Sequence, residues 1–161
     1  MFSFATHHFS VPIYLKLAKN YYRRKKHKTT GRWRVVQTKR YPLSLNNYAR
    51  WKSELRNTLK HKFKEEIQDE IDQIRTTLKT RGRTELKLPV QLNLTLHARN
   101  PASDLDNFTA VCSKFLLDAL QDENLLEGDN ISQVVALNYR TGAVDKLNPR
   151  MQVELIEGVI Q

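Results

Sequence analysis

A chain of 161 residues with 40% hydrophobic and 27% charged residues and only five Gly and five Pro fits one globular domain and excludes fibrous and low-complexity classes. Its formal net charge of +10 directs attention to anionic partners, nucleic-acid phosphates first and anionic membrane second. A lone Cys112 excludes an internal disulfide, and His7, His8, His27, His61 and His97 lack zinc-ligand spacing, so a reducing cytoplasmic setting is expected.

The opening MFSFATHHFSVPIYL has no basic stretch ahead of an uninterrupted apolar run, and no run is long enough to cross a bilayer. Neither export nor membrane insertion is expected. FSVPIYLKL (residues 9–17) reads as a strand. It leads into YYRRKKHKTTGRWRVVQTKRYP, which interleaves Tyr21, Tyr22, Trp33 and Tyr41 with cations. Such a segment can neutralise phosphates and stack on bases, or be only a solvated basic loop. A mobile hairpin tip at RRKKHKTTG and a short strand at RWRVVQT are expected. Of the 27 Lys and Arg, 17 fall in residues 1–64, where Glu54 is the only acid.

Tyr48, Trp51, Leu55, Leu59, Phe63, Ile67, Ile71, Ile74 and Leu78 recur every three or four residues, which predicts one long amphipathic helix ended by TRGRT. Ser44, Asn46 or Asn47 can cap it. Its stripe can be entirely intramolecular core, or can serve in part for packing on another subunit. ELKLPVQLNLTLHA alternates apolar and polar residues as a half-buried strand does, with Pro89 marking an edge or a bulge. A helix through Leu120 follows, then the loop QDENLLEGDN. ISQVVALNYR and RMQVELIE are expected to form an antiparallel hairpin. These elements make an α+β, mixed α/β domain, with a mixed sheet flanked by one long and one shorter helix.

The informative stretch is SDLDNFTAVCSKFLLDAL (residues 103–120), which sets Asp104 and Asp106 where a strand end meets a helix start. One Asp is explained by N-capping and by the helix dipole. Two Asp followed by Asn107 exceed that need. An EF-hand loop is excluded, because counting from Asp104 puts Thr109 at the glycine position and Phe115 at that of the bidentate glutamate. Asp129, ahead of the next strand, is a third acid able to converge on the pair. Three carboxylates suit Mg²⁺, which favours hard oxygen ligands and completes its shell with phosphate and water. The competing E-x-K pattern, Glu85-Leu86-Lys87, lacks an upstream Pro-Asp partner.

DLDN, the helix ending KFLLDAL and the loop GDNISQVV together resemble the RusA family of Holliday junction resolvases. VPIYLKL and YPLSLNNYARW extend the resemblance upstream. It implies a Mg²⁺-dependent endonuclease, Mn²⁺ substituting, that acts as a homodimer and places paired symmetrical nicks in a four-way DNA junction. It also implies Asp104, Asp106 and Asp129 as metal ligands and Lys114 as the assisting lysine. The expected DNA-binding residues are Arg23, Arg24, Lys25, Lys26, Lys28, Arg32, Arg34, Lys39, Arg40, Asn46, Asn47 and Arg50, with Lys52 and Arg56 beside them.

This sequence departs from the family pattern in two places. The interval from Asp106 to Asp118 is four residues longer, and Ala110 stands where forward counting puts the lysine. Either the helix starts after DLDN, or Lys114 lies about 12 Å along it from Asp106 and another basic residue assists. Lys114 can instead form an i,i+4 ion pair with Asp118. Gly128-Asp129 replaces a pair of consecutive acids, with Glu127 able to supply the missing charge. The alternative to an enzyme is a noncatalytic basic protein that binds branched DNA.

Overall fold

The computed structural model describes residues 5–18 and 38–159. Their order is β1 (Thr6–Pro12), β2 (Tyr14–Ala18), β3 (Thr38–Pro42), α1 (Leu45–Tyr48), α2 (Ser53–Glu66), α3 (Gln68–Thr80), β4 (Val90–His97), α4 (Leu105–Asp122), β5 (Val134–Thr141) and β6 (Arg150–Glu157). This is a mixed α+β fold with a four-stranded mixed sheet in the order β1-β6-β4-β5, and a separate two-stranded ribbon of β2 and β3.

The alternation in β4 becomes layering. Val90, Leu92, Leu94 and Leu96 turn to the helices and are buried, as are Met151, Val153 and Leu155 of β6. Opposite them lie the apolar stripes of α2 and α3 and the sheet-facing side of α4, where Phe63 and Phe115 meet edge to face with centroids 5.7 Å apart. Full burial of an aromatic or branched aliphatic side chain of this kind stabilises by about 2–3 kcal/mol. The other sheet face carries polar residues. Asn138 donates to Asn93 (2.9 Å), Asn93 donates to Glu154 (2.6 Å) and Arg140 Nε donates to Thr95 Oγ1 (2.7 Å).

Four sequence expectations are corrected. The strand at residues 9–17 is two strands: the chain breaks at Ile13, after Pro12, and β1 joins the large sheet while β2 pairs with β3. The long helix bends at Ile67 (φ −106°, ψ 10°) into α2 and α3. The hydrogen bonds Ile67 N–Phe63 O and Ile71 N–Ile67 O bridge the bend, so the apolar period continues across it. From Leu59 to Leu78 that stripe is buried within the chain, leaving none of it for another subunit. β5 and β6 do not form a hairpin, because both pair with β4, β5 parallel and β6 antiparallel. Glu85-Leu86-Lys87 precedes the strand instead of lying on it, and Leu86 is buried. The bulge foreseen near Pro89 is present as a register shift between Val90 and Gln91.

Candidate active site

Asp104 is the N-cap residue of α4, with the extended backbone (φ −72°, ψ 129°) such a position needs, yet its side chain makes no capping hydrogen bond. Capping therefore explains the backbone here but not the carboxylate. Asp104 and Asp106 are both exposed, and neither forms an ion pair among the described residues. The helix start adds the partial positive charge of its free amides, which favours anions there.

The surroundings of this helix start come from distant parts of the chain. Asn107 Oδ1 accepts a 3.2 Å hydrogen bond from the Asn46 amide, which docks α1 on the first turn of α4. Phe108, one residue on, meets Tyr14 of β2 edge to face at 5.8 Å. The Arg40 guanidinium of β3 stacks 3.9 Å from the Tyr14 ring, and Lys39 Nζ sits 4.9 Å from the Tyr41 ring. Arg40, Lys39, Asn46 and Arg50 are exposed, so a cationic and amide-rich rim stands beside the two aspartates. Lys16 belongs to that rim as well: it is exposed and directly opposite Arg40 in the ribbon register, a position the sequence reading missed. Its signal was the polar place in VPIYLKL.

Other expected members of the surface have different occupations. Asn47 donates to Ser44 Oγ at 2.7 Å, inside the turn that starts α1. Arg56 donates to the carbonyl oxygens of Tyr48 (3.1 Å) and Ala49 (3.4 Å) and stacks on the Tyr48 ring at 4.6 Å, which finishes α1. Arg23, Arg24, Lys25, Lys26, Lys28, Arg32 and Arg34, with the expected hairpin tip and RWRVVQT strand, lie outside the described residues.

Asp129 is not brought to this place within one chain. β4 and β5 run parallel, with Val90 opposite Val134 and Leu96 opposite Thr141, so α4 carries the chain from the far end of β4 back to its start. An 18-residue helix spans about 27 Å. Asp104 and Asp106 stand at one end of α4; Asp129 follows its other end, close to Gln133, whose carbonyl accepts from the Val90 amide. Among the described residues no three His, Cys, Asp or Glu side chains gather into a group able to hold a metal ion. Within one chain the three acids are not brought together, because they stand at opposite ends of a βαβ unit.

Lys114 is exposed and lies two helical turns from Asp106 on an α4 that begins at Leu105. The loop that was to absorb the four extra residues does not form; they are helix, and they bury Val111, Cys112 and Ser113. Nor does Lys114 pair with Asp118, which binds Lys60 of α2 instead. Burial pushes the Cys112 thiol far above the ordinary range, which keeps it protonated and unreactive.

Among the described residues no helix is long and apolar enough to cross a membrane. Compared with known proteins, the chain matches no family model and no curated sequence.

Proposed function

We propose that this protein is a Mg²⁺-dependent endodeoxyribonuclease of RusA-like fold that resolves four-way DNA junctions as a homodimer. The observation that carries the reading is the pair of exposed aspartates at the start of α4, one of them an N-cap whose side chain caps nothing, set beside a cationic rim. On a passive DNA binder these carboxylates would repel the polyanion that the rim attracts.

The donor set fits the metal. Asp104 and Asp106 offer hard oxygen atoms that the fold leaves without ion-pair partners among the described residues, and magnesium takes carboxylates together with water and substrate phosphate. Bound there, the metal supplies Lewis-acid polarisation of the scissile phosphodiester and a lowered pKa for the attacking water. Arg40, Lys39, Arg50 and Lys16 hold the flanking phosphates. Water adds at phosphorus in line with the 3′ oxygen and gives up a proton to solvent; the P–O3′ bond breaks, that oxygen takes a proton from solvent to leave as a 3′-hydroxyl, and the other end keeps a 5′-phosphate. The third carboxylate, Asp129, then comes from a second copy of the chain, since the parallel β4–β5 pairing holds a chain's own Asp129 a helix length away.

The test is cleavage of four-way junction, flap, duplex and mononucleotide substrates with and without Mg²⁺. Paired nicks on the junction are expected from the wild type. Asp104→Asn should lose about a hundredfold or more of that rate while keeping junction binding. Tight binding by the wild type with no Mg²⁺-dependent cut would assign the noncatalytic alternative.

A further inference from the structure

The sheet face turned away from the helices holds a groove of about 350 Å³ with Asn93 and Thr95 of β4 on its floor and Glu154 and Arg140 on either side. That volume falls within the range of small-ligand clefts. Two neighbouring rungs of the sheet build it. Glu154, Asn93 and Asn138 are partners on the first, and Gln152, Thr95 and Arg140 on the second. A solvated sheet face requires only polar side chains, but these are fixed in place. Gln91 and Asn138 both donate to Asn93 Oδ1 at 2.9 Å, which turns the Asn93 amide nitrogen to Glu154 Oε2 at 2.6 Å. On the second rung Arg140 Nε donates to Thr95 Oγ1 at 2.7 Å.

A carboxylate and a guanidinium are thereby held over β4, on rungs about 7 Å apart. Neither forms an ion pair among the described residues, with the other or with any third group. Glu154 Oε1 and the two terminal nitrogens of Arg140 also have no hydrogen-bond partner among the described residues. The groove therefore offers a fixed acceptor at one end and a fixed, forked donor at the other.

We infer that this groove binds an unpaired guanine base. Guanine sets two adjacent acceptors, O6 and N7, beside two adjacent donors, N1–H and the N2 amino group. A guanidinium takes the first pair bidentately, and a carboxylate, which only accepts, takes the second. Adenine turns a donor toward the guanidinium at N6 and an acceptor toward the carboxylate at N1, so both ends oppose it. Cytosine has no ring N–H and thymine a single donor, so neither satisfies both ends. Pairing in a duplex occupies N1 and N2, so the base comes from a free nucleotide or from a single strand. None of these residues belongs to the proposed cleavage site, and the inference does not rest on that reading.

Calorimetric titration with nucleoside 5′-monophosphates tests it, since the phosphate is common to all and differences report the base. Guanosine monophosphate should bind about tenfold or more tighter than adenosine monophosphate. The 7-deazaguanosine analogue, which lacks N7, and inosine monophosphate, which lacks the N2 amino group, should each lose about fivefold or more. In Arg140→Ala the 7-deaza change should cost nothing further, and in Glu154→Gln the inosine change should cost nothing further. Arg140 is exposed and Glu154 half-buried, so far-UV circular dichroism should be unchanged in both.

A thymidine oligonucleotide bearing one guanine, compared with one bearing adenine, separates the sources. Guanine preference in the oligonucleotide alone assigns a single strand, and preference in the mononucleotide alone assigns a free nucleotide. Equal affinity for guanine and adenine in both formats, or a guanine preference that survives both Arg140→Ala and Glu154→Gln, overturns the inference. Whether the protein cuts junctions bears on none of these outcomes.

Discussion

Glu157, at the end of β6, is 1% exposed and is held from three sides. His7 Nε2 lies 2.7 Å from Oε1, while Arg83 (2.6 Å) and the Lys87 amide (2.6 Å) donate to Oε2. Burial alone would raise its pKa. The hydrogen bonds and the Arg83 charge outweigh that and bring it from 4.5 to about 2. A folded value below the unfolded one means that the linked stability is fully present above about pH 4.5 and disappears as pH falls through about 2. The difference corresponds to roughly 3 kcal/mol. Urea unfolding across that window should show wild-type stability falling steeply. Glu157→Gln should cost about 2–4 kcal/mol at neutral pH and flatten the acid limb. A wild-type curve already flat below pH 4.5 would mean that the network does not hold the fold.

Among the elements, α4 bears on the proposed chemistry most directly. The four residues that lengthen it make a full extra turn, which keeps the DAL end in register with the core while moving Lys114 about 6 Å further along the axis. Lys114→Ala should therefore lower Mg²⁺-dependent junction cleavage by less than about tenfold, against a hundredfold or more for Asp104→Asn. A loss as large as that of Asp104→Asn would mean that Lys114 reaches the reacting phosphate.

This element also shows what can be read in the chain. Its start at DLDN and its apolar side were legible because capping residues and period both mark them. The bend at Ile67 was not, since no Pro or Gly interrupts the stripe and apolar spacing is blind to a local change of backbone angle. Pro12 did mark the break between β1 and β2, but the apolar content around it masked the signal. The β5–β6 hairpin was misread from its turn residues. The strand–helix–strand order of β4, α4 and β5 already favoured a parallel crossover, whose non-local pairing turn chemistry does not reveal. The same crossover separates Asp129 from Asp104 and Asp106 within one chain, a separation that the order of residues does not reveal.

At the scale of the whole molecule, the proposed dimer and the uneven charge each make a prediction. Neither Asp104→Asn nor Asp129→Asn alone should cut. Mixed and allowed to exchange subunits, they should regain up to about a quarter of wild-type nicking, because half of the dimers carry one intact site. Recovery absent from a demonstrably exchanged mixture would rule out a site shared between copies. Junction affinity should fall about a thousandfold or more between roughly 50 and 200 mM salt if six or more cations meet phosphates, and a slope near zero would remove the basic surface from the binding mode.

Those cations are not spread evenly in their pairing, because the far end of α4 neutralises three of them. Asp118 binds Lys60, Glu123 binds Lys64 (2.6 Å) and Arg75, and Asp122 lies 3.9 Å from Lys64. The Lys64 hydrogen bond, with Arg75, holds the Glu123 carboxyl below its ordinary range. Acid is thus concentrated where α4 ends, while Lys16, Lys39, Arg40 and Arg50, which form no ion pair among the described residues, lie toward its beginning. Among the described residues the two ends of α4 therefore differ: cations and carboxylates cancel where the helix ends, and an excess of cations remains where it begins. A polyanion approaching these described surfaces is repelled least at the helix start, so this local imbalance favours encounters at that end and shortens the orientational search.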